Sequence, residues 1–166
     1  MFQAIAIAVV AVLVGLDQLT KWLTVLHLQE NPIVLIDGVL ELTYLENRGA
    51  AFGMMQGARW LFVAFTAVVM LALLALLMFG QYRRYRLFNV SLILVIAGGI
   101  GNLIDRVANG FVVDMIHVFW KAIGFDFPVF NVADIFVVIG SILLLVFFFF
   151  VYDDKKKTEV TDEHAS

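Results

Sequence analysis

Residues 131–152 read NVADIFVVIGSILLLVFFFFVY, a polar start followed by 18 uncharged residues. A helix needs about 20 predominantly apolar residues to cross the hydrocarbon core of a bilayer. The stretch therefore predicts a membrane-spanning helix that begins near Val132. Asn131 is a favourable N-cap and Asp134 a favourable first-turn acid, so helix capping by itself explains both polar residues.

Three more stretches, 2–26, 60–79 and 87–107, have the length and apolar character of a span. The whole chain is 63% hydrophobic and 15% charged, whereas a soluble domain is about half apolar and a quarter charged. A small chain cannot bury such an excess in a soluble core. We therefore predict an all-α membrane protein with four transmembrane helices, the first of which is retained, since no cationic region or clean cleavage site marks it as a signal.

Clustered cations predict the orientation of these helices. Arg83, Arg84 and Arg86 precede the third span, and Lys155, Lys156 and Lys157 follow the fourth. With four spans both groups lie on one face, which the positive-inside tendency makes cytoplasmic. Both termini are then cytoplasmic and the loops 27–59 and 108–131 face outward. Residues 1–152 form one membrane domain, and 153–166 form a polar cytoplasmic tail.

The outer loops contain strand patterns. Residues 33–36 and 39–45 flank Asp37-Gly38, a dipeptide that favours a type I′ hairpin turn. Alternating apolar residues at 112–119 predict a third strand. We expect a small extracytoplasmic β-sheet, mainly between helices one and two, beside the outer helix ends.

Five polar clusters interrupt the apolar background. Each falls at the predicted outward end of a span or in the outer loop next to one, and ionisable groups at that depth usually face a cavity or a partner. The clusters are DQLTK (17–21), ENRGAAFG (46–53), GGIGNLIDR (98–106), VVDMI (112–116) and FNVAD (130–134).

Two aspartates are candidates for chemistry. Asp114 lies among apolar residues, where an unpaired carboxylate is costly, unless it is a strand-edge residue turned to water. Asp134 follows it by 20 residues, which lets a loop bring the two together. Two carboxylates at a partly dry site share a proton. One can then deprotonate water while the other polarises a scissile carbonyl.

Helical spacing groups other polar residues. Asp17 and Lys21 share a face of helix one and predict an ion pair that holds this helix to the bundle. Gly98, Asn102 and Arg106 share a face of helix three, and the glycines there permit close approach of another helix.

In their order and topology, the five clusters resemble the bacterial lipoprotein signal peptidase family, also called signal peptidase II, over residues 10–150. The resemblance implies a membrane aspartic endopeptidase with Asp114 and Asp134 as its catalytic dyad. Such an enzyme removes the signal peptide from a prolipoprotein, cutting before a diacylglyceryl-modified cysteine. Met115 departs from the phenylalanine that is frequent in the family's VVDMI-like motif.

The resemblance also implies supporting roles. Asn47 contacts the substrate backbone, and 49–53 form a mobile segment of small residues, for which an ordinary turn is the alternative. Asn102 and Arg106 project toward the dyad, although Arg106 has the alternatives of pairing with Asp105 or reaching lipid headgroups. Asn131 orients a carboxylate or the substrate, in competition with capping. The substrate chain passes close to Ala133.

The expected setting is the bacterial inner membrane, with the active site near the outer face. The expected partners are a diacylglyceryl-modified prolipoprotein and membrane lipid. We expect no cofactor, metal or nucleic acid, and a monomer.

Other functions fit the sequence less well. Ser91 and Ser141 lie within spans, away from His27 and His117, and no HExxH motif is present. A proton-coupled carrier is the main alternative, but the polar residues collect at one end and no internal repeat is present. A third possibility is a non-catalytic membrane protein that docks to a partner through its outer sheet, but this function does not explain the clustered acidic residues.

Overall fold

The computed structural model describes residues 1–49, 59–80 and 84–152. Within these ranges the helices are α1 (Phe2–His27), α2 (Arg59–Phe79), α3 (Arg86–Ala108) and α4 (Val132–Val146), and a π-helical turn (Phe147–Tyr152) extends α4. The strands are β1 (Ile33–Ile36), β2 (Leu40–Asn47), β3 (Val112–Trp120) and β4 (Phe125–Asp126). Predictions that concern 50–53, Arg83 and the tail from 153 onward lie outside the described residues.

The helices occupy the predicted stretches almost residue for residue. By length and composition α1, α3 and α4 with its π-turn can each cross a membrane, while the apolar helix found within α2, Val63–Phe79, is shorter. Three predicted spans are thus confirmed as candidates, and the remaining one, the second span at 60–79, stays a prediction. Large apolar side chains such as Trp22, Phe65 and Val138 are more than half exposed. A continuous surface of this kind needs lipid as its solvent.

α3 is the central helix, because it packs against α1, α2 and α4. Its N-terminal half contributes Phe88, Leu92 and Ile96 to an apolar core that includes Leu77 of α2 and Phe147 beyond α4. Asn89 and Ser91 are also buried in this half of α3, but the buried charged residues, Asp17, Lys21, Asp105 and Asp114, lie at its other end. One end of the bundle is therefore fastened by apolar packing, and the other end contains the polar clusters.

Glycines on α3 allow the close approach that the sequence predicted. A Cβ atom at Gly98 would collide with the carbonyl oxygen of Ala133, and one at Gly101 would collide with the carboxylate of Asp17. The start of α4 and the polar face of α1 therefore both rest on glycine surface of α3.

The strands form one antiparallel sheet in the order β1-β2-β3-β4. The predicted hairpin is present, with Gly38 at φ 72° and β2 beginning at Leu40, and β3 confirms the third predicted strand. β4 was not predicted, and it is only two residues long. After β4 the chain runs back along β3, and Phe130 pairs with Ile116. This return brings the start of α4 beside the middle of β3.

Candidate active site

Asp114 is buried on β3, with 1% of its surface exposed. Its two carboxylate oxygens accept hydrogen bonds from Asn47 Nδ2 at 2.9 Å and Asn131 Nδ2 at 2.6 Å. Burial raises the pKa of Asp114 to about 6, against the lowering effect of the two amide donors and with a further increase from the charge of Asp134. The alternative of a strand-edge residue turned to water is therefore wrong.

Asp134 lies in the first turn of α4 and takes part in its N-terminal cap. Asn131 Oδ1 accepts from the Asp134 backbone N–H at 2.9 Å, and Asp134 Oδ2 accepts from the Asn131 backbone N–H at 3.0 Å. The other oxygen of Asp134 accepts from Asn102 Nδ2 at 2.8 Å. The predicted capping interaction is thus confirmed, and it holds the Asp134 carboxylate in one orientation.

The two carboxylates line the same cavity, which has a volume of about 540 Å³. One wall is made by 127–130, the segment that leads into α4, and another by apolar side chains of α4 itself. Val138 and Ile139 on that wall are 56% and 45% exposed, so the cavity borders the lipid-facing surface. A mostly apolar cleft with a few convergent polar groups is typical of a ligand site. Its lining residues include Asn47, Arg106, Asp114, Asp134, Ile135, Val138 and Ile139.

Asn131 and Asn102 connect the two aspartates. Asn131 Nδ2 donates both to Asp114 and, at 3.1 Å, to Asn102 Oδ1. Asn102 Oδ1 also accepts from Lys21 Nζ at 2.8 Å. Because an ammonium group can only donate, Lys21 fixes the oxygen of the Asn102 amide toward itself and the NH₂ toward Asp134. Lys21 therefore acts on the dyad through Asn102.

The predicted ion pair between Asp17 and Lys21 is present, and Asp105 extends it. Lys21 Nζ lies 2.9 Å from Asp17 Oδ2 and 3.0 Å from Asp105 Oδ2, with all three side chains buried. Asp17 Oδ1 also accepts from the backbone N–H of Ala133 at 2.9 Å. Asp105 Oδ2 accepts from the backbone N–H of Val113 at 3.0 Å.

The contacts of Asp17 with the Ala133 N–H and of Asp105 with the Val113 N–H both fix the backbone beside an aspartate of the site. Ala133 immediately precedes Asp134, and Val113 immediately precedes Asp114. Each buried carboxylate of the ion cluster thus anchors the backbone next to one aspartate of the dyad. The cluster fixes both aspartates relative to α1 and α3.

Arg106 and Asn47 line the cavity that contains Asp114 and Asp134. The Arg106 guanidinium donates to the backbone oxygens of Asn102 at 3.4 Å and Gly49 at 3.5 Å. Asn47 Oδ1 accepts from the Gly49 N–H at 3.2 Å, which leaves its NH₂ for Asp114. Asp105, which was considered from the sequence as a partner of Arg106, forms a direct ion pair with Lys21.

The prediction for Ala133 needs correction. This residue is completely buried; its N–H is bound by Asp17, and its backbone oxygen and Cβ face the glycine surface of α3. A substrate chain cannot pass along a residue enclosed by α1 and α3, so Ala133 supports the site by packing.

Sequence reasoning missed two members of the ion cluster. Asp105 was considered only as a partner of Arg106, although an acid inside an apolar span is itself a signal of a buried partner. Gln18 donates to Asp105 Oδ1 at 3.0 Å and to Asp17 Oδ2 at 3.2 Å, and nothing in its sequence context indicates this role.

Known proteins are similar to this chain in sequence. The family model described as signal peptidase (SPase) II matches residues 9–150. The chain is 43% identical over 141 residues to the lipoprotein signal peptidase of Streptococcus thermophilus strain CNRZ 1066, covering 84% of this chain and 88% of that protein. It is 42% identical over 138 residues to that of Symbiobacterium thermophilum, covering 82% and 88%.

Solved structures show the same similarity. One, titled a bacterial membrane enzyme structure by the in meso method at 1.9 Å resolution, has a TM-score of 0.77 at 31% identity, covering 89% of this chain and 94% of that chain. A second, with the same title at 2.3 Å, has a TM-score of 0.76 at 32% identity and covers 86% of each chain.

The apolar helices and the cavity lined by the buried Asp114 and the partly buried Asp134 fit a membrane hydrolase. Paired carboxylates in a cavity beside lipid-facing helices are an arrangement that suits peptide hydrolysis within or beside a bilayer. The chain belongs to the signal peptidase II family, and it is a protease.

Proposed function

We propose that this protein is an aspartic endopeptidase that removes the signal peptide from prolipoproteins, cutting before a diacylglyceryl-modified cysteine. The observation that carries the proposal is the pair of carboxylates, Asp114 and Asp134, that line one cavity and are bridged by Asn131. The substrate class follows from the relatives, which are lipoprotein signal peptidases.

The dyad hydrolyses the peptide by sharing one proton. Burial raises the pKa of Asp114 to about 6, which favours Asp114 as the member of the pair that carries the shared proton. Asp134 takes a proton from water as the water oxygen attacks the scissile carbonyl carbon, and Asp114 gives its proton to the carbonyl oxygen. The resulting gem-diol collapses as Asp134 gives its proton to the leaving nitrogen, Asp114 takes a proton from one hydroxyl, and the C–N bond breaks, which restores the starting state of the pair. The signal peptide leaves with a carboxyl terminus, and the cysteine becomes an N-terminal amine.

The neighbouring polar residues hold the two carboxylates of the dyad in fixed positions. Asn131 and Asn102 hold the carboxylates through the hydrogen bonds described above, and Asn47 and Arg106 offer groups toward the cavity that suit the substrate backbone. Gly98 lets α4 approach α3 closely enough for these bonds to form. A catalytic geometry has to be held within about 0.5 Å, which such a network can do.

The lipid-modified end of the substrate reaches the cavity from the bilayer. The wall formed by Ile135, Val138 and Ile139 continues into the exposed apolar face of α4. Each acyl CH₂ kept out of water is worth about 0.8 kcal/mol. A diacylglyceryl group along this wall therefore stays in an apolar medium while the peptide bond lies at the dyad.

The protein acts as a monomer in the bacterial inner membrane, with 1–152 as one peptidase domain. Four helices span the bilayer, both termini and the tail 153–166 are cytoplasmic, and the sheet and dyad lie near the outer face. The distribution of cations supports this orientation, and the polar end of the bundle, which includes the dyad, is then the outer one.

The test of the dyad is cleavage of a diacylglyceryl-modified prolipoprotein by the purified protein in detergent. Asp114→Asn and Asp134→Asn keep size and most hydrogen bonds but cannot share a proton, so each should lower turnover by at least about 10²-fold. The double variant should be scarcely slower than either single one, as for residues that act as a unit. Asp37→Asn in the hairpin turn is the matched control and should be fully active. Near-normal turnover by a monodisperse Asp114→Asn protein would refute the dyad.

The substrate assignment is tested by removing the lipid. The same precursor without its diacylglyceryl group should be cut far more slowly, because it lacks the apolar contact along α4. Equal cleavage of both precursors would contradict the lipoprotein assignment and leave a general membrane peptidase.

A further inference from the structure

His117 joins three strands of the sheet through its side chain. Its Nδ1 lies 2.9 Å from Glu41 Oε1 on β2, and its Nε2 lies 2.8 Å from Asp126 Oδ1 on β4. Glu41 is directly opposite His117 in the register of β2 and β3, and Asp126 pairs with Phe119, two residues along β3. Both carboxylates therefore reach the imidazole from neighbouring positions of one sheet face.

The strand that His117 holds leads directly into the wall of the active-site cavity. Phe127, Pro128 and Val129 follow Asp126 and line the 540 Å³ cavity that contains the dyad. The same three residues, with His117 and Asp126, line a second cavity of about 450 Å³. Segment 127–129 is thus the partition between the two cavities.

Backbone hydrogen bonds hold segment 127–129 mainly near its two ends. The Phe127 N–H donates to Val118 O at 2.9 Å, and Phe130 exchanges hydrogen bonds with Ile116. Pro128, between them, has no N–H to donate. The position of the partition therefore depends on how firmly its two ends are held, and the side-chain bridge acts at the Asp126 end.

The bridge needs the cationic imidazole, because both ring nitrogens face carboxylates and must donate. Partial burial lowers the pKa of His117, but the hydrogen bonds and charges of Asp126 and Glu41 outweigh it, so the net pKa is raised. Among the described residues that line the second cavity, Glu46 and Arg48 are paired with each other at 2.6 Å. Lys121 lies over the ring of Phe119, 5.7 Å from its centroid, next to the bridge.

We propose that His117 is a positioning residue for the peptidase: its cationic form ties β4 to β2 and thereby fixes segment 127–129 as a wall of the substrate cavity. The proposal rests on the function proposed above. Its consequence concerns substrate binding rather than the chemical step, since His117 holds the wall and the dyad performs hydrolysis. A raised histidine pKa means that the bridge is complete at low pH and is lost as pH rises through the folded-state value.

Two substitutions separate positioning from mere folding. His117→Gln places one neutral amide group between two carboxylates and so cannot form the full bridge. At pH 6 its KM should be about threefold to fivefold above that of the wild type, which is the range expected for loss of a partly exposed ion pair. Its kcat should stay within about twofold of the wild-type value. His117→Arg keeps a permanent cation with several donors, so it should restore the low KM and hold it at pH 9, where the wild-type KM has risen. His27→Gln, at the end of α1, is the matched control and should follow the wild type.

Hydrogen exchange gives a second readout that does not depend on catalysis. Amide protection of the peptide containing Phe127 and Phe130 should fall severalfold in His117→Gln and in the wild type at high pH, but not in His117→Arg. If the wild type cleaves substrate while neither KM nor protection responds to His117, the positioning role is wrong and the peptidase assignment stands. If the wild type does not cleave, the proposed function fails, and the exchange result alone supports or refutes the bridge.

Discussion

Replacing Lys21 by methionine should destabilise the protein more than any other single change in the buried ion cluster. Lys21 lies between the carboxylates of Asp17 and Asp105, at 2.9 Å and 3.0 Å. In Lys21→Met both acids remain buried without this cation. Removing one partner of a buried ion pair costs about 3–5 kcal/mol, because the remaining charge is uncompensated.

The companion change Asp17→Asn should cost less. The ion pair between Lys21 and Asp105 remains, with its charges balanced, and the amide oxygen of asparagine can still accept from the Ala133 N–H. The loss is then one charged acceptor for Lys21 and Gln18, which is worth about 1–3 kcal/mol. The unfolding free energy should therefore be highest for the wild type, lower for Asp17→Asn and lowest for Lys21→Met.

Unfolding in mixed detergent micelles with increasing dodecyl sulfate would measure this order. Trp22 follows Lys21 directly and is 57% exposed, so its fluorescence reports on α1 where the cluster is attached. Leu19→Met, a lipid-facing and nearly volume-conserving change on the same helix, is the control. If Lys21→Met unfolded at the same dodecyl sulfate fraction as the wild type, or if Asp17→Asn were the less stable variant, the assigned charge balance would be wrong.

Three further predictions follow from packing, titration and topology. Gly98→Ala should destabilise the protein by about 1–3 kcal/mol, because its Cβ would meet the first turn of α4, whereas Gly15→Ala, with nothing within 4 Å, should be neutral or stabilising in the same assay. Since the pKa of Asp114 is raised from 3.8 to about 6, the native state holds this proton more tightly, so wild-type stability should fall relative to Asp114→Asn as pH rises through that window; parallel curves would refute the assignment. Reporter fusions after Phe125 should be extracytoplasmic and those after Arg84 cytoplasmic, and the reverse pattern would invert the proposed orientation.

The sequence by itself determined where the helices lie and which residues gather at one end. A bilayer requires long apolar helices, so span positions can be read from length and composition alone. α1, α3 and α4 with its π-helical turn begin and end within a residue of the predicted bounds. The same reasoning made the polar clusters conspicuous, because a charge in an apolar span needs a partner.

The tertiary structure decided which side chains face the dyad. The register between β2 and β3 shifts between Leu42 and Leu45. Because side chains alternate across a sheet, this one-residue shift places Asn47 on the face of Asp114, where an unbroken register would place Glu46. The short return of the chain along β3, which was not predictable from a two-residue strand, brings Asn131 within 2.6 Å of Asp114.

The partners of the buried charged side chains in other helices also could not be predicted from the sequence. The contacts of Lys21 with Asp105 and of Asp17 with the Ala133 N–H join residues from different helices. Helical spacing reveals neighbours within one helix, and so it revealed Asp17 with Lys21. Which groups meet across helices depends on how closely α1, α3 and α4 approach, and the glycines of α3 set that distance only once the bundle has formed.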